Sequence, residues 1–192
     1  MKYKKILFWL IPLILIAGGL YFILSDSYPV ALVNEQIIEA RDFEKDYASA
    51  LRYYQSVFKV YKEDAAKLDS QESKQEIRRA TLDKLIENKL IRENLEKLIK
   101  NDELKNMVAQ KIKEAVKESP DIQKGVQTLY GLSLDDFKQR ILAPQAEREI
   151  LEGRLYLDGK KIDEWLKQEK SKAKVIILIS GFGWDGEGVI IK

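Results

Sequence analysis

The chain has 192 residues and contains neither histidine nor cysteine, which excludes imidazole bases and ligands, thiol nucleophiles, thiolate zinc sites and disulfides. Its 33 basic and 31 acidic residues nearly cancel, and without Lys2, Lys4 and Lys5 the balance is 30 against 31. A near-neutral, densely charged remainder offers no positive patch to release counterions from a phosphate backbone, so no nucleic-acid partner is expected.

From the N-terminus, three lysines precede an uncharged run from Ile6 to Leu24. As a helix this run is about 28 Å long, close to the hydrocarbon thickness of a bilayer. Trp9 and Tyr21 stand towards its ends, where amphipathic rings favour the interface, and the lysines put the N-terminus in the cytoplasm. Residues 1–24 therefore read as a cytoplasmic stub and a transmembrane signal-anchor. A cleaved signal peptide is the competing reading, but its apolar core is shorter and small residues follow it. In either case the remainder is exported, to the periplasm or the cell surface.

Residues 25–29 form a linker. Val30 to Val33 is a β-type run, Asn34-Glu35 a tight turn, and Gln36 to Ile38 a second short strand. A long helix is predicted from Arg41 to near Leu68, with Phe43, Tyr47, Ala50, Tyr54, Phe58 and Tyr61 at spacings of three and four. After a polar break, a second helix buries Ile77, Thr81, Leu82, Leu85, Ile86, Leu90 and Leu98. A third runs from Asn101, with acids in its first turn, to about Lys117, where Ser119-Pro120 stops it. A short helix over Asp121 to Tyr130 ends at Gly131. Ser133 and Asp136 make a capping-box-like start to a helix that runs towards Tyr156, with Pro144 expected to kink or break it. Asp158-Gly159 is a turn, and Lys160 to Lys172 is a polar helix carrying Trp165.

The tail changes character. Val175 to Ile179 is β-branched and too apolar to be left uncovered. Gly181 to Gly188 reads as a loop, and Val189 to Ile191 returns as a second strand. This hairpin, about residues 174–192, is expected to pair with Val30 to Val33. The predicted class is mainly α: a multi-helix domain over residues 30–192, with a small sheet joining its N- and C-terminal strands.

The order of these segments resembles the N-terminal domain of the SurA, PrsA and PpiD group of exported chaperone/prolyl isomerases. The segments that carry the likeness are Val30 to Ile38, Asp42 to Tyr47, Thr81 to Ile91 and Leu132 to Ile141, and the likeness extends over about Val30 to Trp165. Glu35 departs from the glycine usual after Asn in that group. The resemblance implies binding of unfolded or exported polypeptides. The isomerases of the group carry a further parvulin domain whose site uses histidines; here fewer than thirty residues follow Trp165 and there is no histidine. No catalytic residue is therefore expected.

Phe43, Tyr47 and Tyr54 are expected in the core. Tyr53, Val57, Val60 and Tyr61 widen the apolar arc of the first long helix. Tyr53, Phe58 and Tyr61 stand out there, and Leu134, Phe137 and Ile141 line one side of the Pro144 helix. These six are the candidate peptide-binding residues, exposed apolar surface being the mark of such sites. Asp135/Asp136 and Glu63/Asp64 are explained by capping and solvation, and Trp184 to Gly188 by a turn without calcium-loop spacing, so no metal is expected. No phosphate-cradling glycine loop suggests a nucleotide, and no cofactor is expected. Two functions from different classes remain: an anchored chaperone without nucleotide dependence, or an adaptor that uses the same apolar surface for one partner or for a second copy.

Overall fold

The computed structural model describes residues 27–117 and 121–192. The predicted apolar anchor and the Ser119-Pro120 stop lie outside these residues. Among the described residues, no helix is long and apolar enough to cross a membrane.

Strand β1 (Pro29–Val33) turns at Asn34-Glu35 into β2 (Gln36–Glu39). Asn34 takes the left-handed conformation at φ 54° and Glu35 does not, which is why the turn needs no glycine at 35. Asn34 also ties the turn to distant parts of the chain. Its Nδ2 donates to Glu93 Oε2 at 2.6 Å, its Oδ1 accepts from the Lys174 backbone N–H at 3.1 Å, and its own N–H donates to Lys174 O at 2.8 Å. Beside it β3 (Val175–Ile177) pairs antiparallel with β1, giving the sheet order β2-β1-β3.

The tail differs from the sequence expectation. The second strand of its hairpin, β5 (Val189–Ile191), pairs with β4 (Phe182–Trp184) in a separate two-stranded sheet, and not with β1 or β3. The cause is a tighter turn than the glycine-rich run suggested. Asp185 Oδ1 accepts the N–H groups of Glu187 and Gly188, both at 2.8 Å, and this leaves Phe182 to Trp184 free to pair. Nor is the Val175 to Ile179 run fully covered: Ile176 and Leu178 are about half exposed. In register, Ile37, Leu32 and Ile176 form an apolar row across the open face of the three-stranded sheet.

Helix α1 (Ala40–Val60) ends earlier than expected, because the chain turns at Lys62 with φ 56° and enters a 3-10 turn over Ala65–Asp69 capped by Asp64. Ser70 then caps the 28-residue helix α2 (Gln71–Leu98) by accepting from the Ser73 N–H. Its buried stripe includes Ile91 and Leu95. Leu98, expected inside, is 55% exposed, because Ile99, one turn on from Leu95, takes the inward place. Helices α3 (Asn101–Lys117) and α4 (Ile122–Tyr130) follow, and Gly131 closes α4 in the left-handed conformation. Ser133 caps α5 (Leu134–Phe137), which passes through a π-helical turn, Lys138–Leu142, into α6 (Ala143–Leu157). The expected break at Pro144 is absent. The Ala143 N–H reaches back to Lys138 O, so the wider turn accommodates the proline with helical backbone on both sides. Helix α7 (Ile162–Lys172) leads to β3.

Two apolar cores meet along α2. Leu82, Ile86 and Leu90 pack with β1, Phe43, Phe182 and Val189, while Ile91 and Leu95 pack with Leu104, Ile150, Leu151 and Leu166. Buried charges join the layers. Lys170 of α7 bonds Asp83 at 3.1 Å and Glu87 at 2.7 Å, and Asp83 also accepts the Val189 N–H at 3.2 Å. Burial pulls the Lys170 ammonium down, but its two carboxylate partners outweigh this and hold it above the usual lysine value.

Glu147, only 3% exposed, bonds Arg92 at 2.5 and 3.0 Å. Burial pushes its carboxyl above the ordinary glutamate value despite the guanidinium. An acid raised in the folded state binds its proton more tightly there than in the unfolded chain. Its stabilising contribution is full below the unfolded value and is lost as pH rises through the folded one. Wild type should therefore lose stability relative to Glu147→Gln as pH rises through the range above the ordinary glutamate value of about 4.3, read from urea unfolding midpoints. A difference independent of pH over that range would contradict this.

Candidate functional site

Helix α1 presents Asp46, Ser49, Ala50, Tyr53 and Tyr54 to one cavity, and α2 presents Ile77, Ala80, Thr81, Lys84, Leu85 and Asn88 to the same space. Both sets recur at spacings of three and four, the signature of a single helix face. Tyr130 of α4 and Arg140 and Ile141 of the π turn complete the walls, and the cavity volume is about 350 Å³. That lies at the lower end of the range typical of ligand clefts, about 300–1,000 Å³. Ala50 and Ala80 explain the space: in two otherwise bulky stripes, a methyl stands where a larger side chain would close the gap.

A second depression of about 630 Å³ adjoins the first and shares Tyr54, Ile77 and Ala80 with it. Phe58, Leu68 and Ile191 add its apolar lining, and Glu72 and Glu76 supply acidic groups. Together the two form one trough between α1 and α2. The part of α1 along it, from Asp46 to Phe58, is about 18 Å long, and the matching part of α2, from Glu72 to Asn88, about 24 Å.

Stacked rings form part of the wall. Tyr53 stacks on Tyr130 with centroids 5.1 Å apart and planes 10° from parallel, and Tyr130 meets Phe137 at 5.2 Å. Tyr54 meets Tyr53 edge-on at 5.9 Å. Burial, then the neighbouring Tyr53, raises the Tyr130 hydroxyl above the usual tyrosine value, so it stays protonated. Arg52 Nε donates to Thr128 O at 3.3 Å, fastening α1 to α4.

The polar end of the trough is an ion-pair cluster. Arg140, brought inward by the π turn, bonds Asp42 at 2.8 Å and Asp46 at 2.9 Å, and Lys45 bonds Asp136 at 2.5 Å. Burial raises the Asp46 carboxyl above its ordinary value, although Arg140 opposes the shift. Deeper in the cavity, Ser49 is 3% exposed and its hydroxyl has no hydrogen-bond partner.

Of the six residues singled out from sequence, Tyr53 and Ile141 line the cavity, Phe137 supports it through Tyr130, and Phe58 lines the adjoining depression. Leu134 is half-buried and lines neither part, and Tyr61 is 74% exposed beyond the end of α1. Tyr54, expected in the core, is 43% exposed and borders both parts. Sequence reasoning missed Tyr130, Ser49, Ala80 and Ile191. The alanines that line the cavity from each helix, within two large-residue stripes, were the available signal; nothing local marks Ile191, which arrives from the tail.

A family model described as SurA-like N-terminal domain matches residues 2–141. The chain belongs to the SurA-like N-terminal domain family. This is a chaperone-associated family, and the match is to its N-terminal domain, with no isomerase domain found. Every trough residue from Asp46 to Ile141 falls inside the SurA-like region, whereas α6, α7 and Ile191 lie beyond it. No curated protein and no solved structure matches the chain.

Arg140 is the group that neutralises two carboxylates at the mouth of this SurA-like trough. Replacing it with Met should cost about 2–3 kcal/mol, because Asp42 and Asp46 would then face each other uncompensated. Urea unfolding of Arg140→Met measures the loss, and a change below about 0.5 kcal/mol, the range of ordinary surface substitutions, would show the cluster to be inconsequential.

Proposed function

We propose that this protein is a membrane-anchored, extracytoplasmic chaperone-like module that holds unfolded or extended polypeptide segments in the trough between α1 and α2, without nucleotide and without an isomerase site of its own. The observation that carries the reading is the trough itself. An apolar, aromatic-walled depression stays open between two long helices of a chaperone-associated family. Its length of about 18–24 Å suits a segment of about five to seven residues in extended form. Its lining of Tyr, Ile, Leu and Ala supplies adaptable apolar contact, which favours broad and weak recognition.

The anchor rests on the uncharged run Ile6 to Leu24 behind three lysines, and the family match begins ahead of that run. With the N-terminus cytoplasmic, the trough works on exported chains near the membrane. The absence of histidine from the whole sequence supports a non-enzymatic role.

The row of Ile37, Leu32 and Ile176 favours a second reading, in which the protein is an adaptor. Such a flat face suits one fixed partner or a second copy better than a moving client.

The soluble part, Ser25 to Lys192, should suppress aggregation of several unrelated unfolded proteins without ATP. Ala80→Phe should plug the trough and weaken that protection about tenfold, while stability changes by no more than about 0.5 kcal/mol, as for an exposed position. Protection of no substrate, with capture of a single specific protein through the sheet face, would favour the adaptor.

A further inference from the structure

The open face of the three-stranded sheet carries exposed apolar side chains. Leu32 lies opposite Ile37 on one side and Ile176 on the other, and Ile37 and Ile176 are about half exposed. The alternation continues past β3, because the Leu178 N–H donates to Val30 O at 2.8 Å. Leu178 therefore shares the face of Ile176 and is about half exposed too, while Val175, Ile177 and Ile179 pack on the core. Tyr28 stands exposed at the corner, fastened to the start of α1 by its carbonyl, which accepts the Ala40 N–H at 2.9 Å.

The route by which the chain enters this sheet points to what covers it. The uncharged run Ile6 to Leu24 ends five residues before Pro29, where β1 begins. With that run in a bilayer, the corner of the sheet is held within about 18 Å of the hydrocarbon edge. The headgroup layer itself occupies about 5–7 Å of that gap. A stable interface with a protein from solution takes about 20–30 residues a side, whereas the row offers Leu32, Ile37, Ile176 and Leu178. A tethered surface asks for less. The tether keeps lipid and sheet at high effective concentration, so a row too small to bind from solution is enough to hold one orientation. The charged rim gives no preference for anionic lipid. Arg41 is paired with Glu39 and Lys172 with Glu169, and exposed Lys174 is offset by exposed Glu35.

We propose that the open face of the sheet rests on the bilayer, with Leu32, Ile37, Ile176 and Leu178 at the boundary of headgroups and acyl chains. The proposal rests on the anchor in the reading above and adds an orientation. On α2, Ala80, Lys84 and Asn88 border the trough, and Leu82, Ile86 and Leu90, each two residues on, pack beneath the sheet. Two residues turn an α-helix by about 200°, so trough and sheet occupy opposite sides of α2. A domain seated on its sheet opens the trough away from the lipid. The apolar lining is then kept for polypeptide, out of reach of acyl chains.

The cysteine-free sequence allows a single fluorophore to be placed through Lys174→Cys or Lys84→Cys. Lys174 flanks the apolar row on its own face, and Lys84 stands exposed at the trough. The 192-residue chain is placed one copy per nanodisc, in phosphatidylcholine carrying a nitroxide on the headgroup, and quenching is read against nitroxide-free discs. The Lys174 label is expected to lose most of its emission and the Lys84 label little. Ile37→Asp together with Ile176→Asp should bring the Lys174 loss down to the Lys84 level, with circular dichroism checking that the fold is kept. Quenching that survives these aspartates overturns the proposal. So does equal quenching of the two labels in the chain without them, a comparison that needs neither aspartate to fold. A Lys174 label that is blue-shifted yet unquenched also overturns it. The chain's own N-terminal segment would then cover the face, or a second copy if the shift needs two copies per disc. A chain that fails to enter the discs removes the anchor and the proposal with it, whereas one that enters with both labels equally quenched leaves the anchor standing.

Discussion

The structure depends on one helix having three faces in use at once. Over its 28 residues, α2 buries Leu82, Ile86 and Leu90 against the sheet side, and Ile91 and Leu95 against the C-terminal helices. Ile77, Ala80, Thr81, Lys84, Leu85 and Asn88 border the trough. Such a helix cannot tilt towards one neighbour without losing another. It packs against α1 near Phe43 and Leu82, and the two leave the trough open further along. Along the trough, Ala50 and Ala80 leave room that larger side chains would fill.

Charge adds to the apolar frame. Lys170 reaches from α7 to Asp83 and Glu87 on α2, and Asp83 in turn accepts from β5. Arg79 adds a bond to Val189 O at 3.2 Å. The small C-terminal sheet is thereby fixed to the helix whose other face forms the trough, and Ile191 becomes part of its lining. On the opposite side, the π turn delivers Arg140 to Asp42 and Asp46. An uninterrupted α-helix through Pro144 would lack the hydrogen bond that this turn replaces.

Local patterns made much of the fold legible in the sequence. The β1–β2 hairpin, the helix ends at Gly131 and Asp158-Gly159, and the Ser133 cap each follow from a few neighbouring residues with defined backbone preferences. What escaped was decided by distant partners. Phe182 to Trp184 looks like loop because its glycine-rich surroundings hide the shorter turn that Asp185 makes. Leu98 shares the heptad phase of Ile91, yet the inward place goes to Ile99 just after the helix ends. Of the trough, the aromatic stripe was visible and its width was not. Two alanines acquire meaning only once α1 and α2 are known to face each other, and a serine becomes conspicuous only when its missing bond can be seen.

Asn34 has a consequence for how the chain assembles. Its side chain and backbone both bind Lys174, 140 residues away, and β1 lies between β2 and a strand that begins at Val175. The early hairpin therefore lacks its second neighbour until the chain extends past Ile177. Loop closure over such a separation carries an entropic cost and slows folding relative to the locally formed helices. Until then an unpaired strand edge and half-built apolar layers are exposed to other chains. A new copy of this protein passes through a stage with the same vulnerability as any unfinished chain, and the stage ends only when β3 has paired with β1.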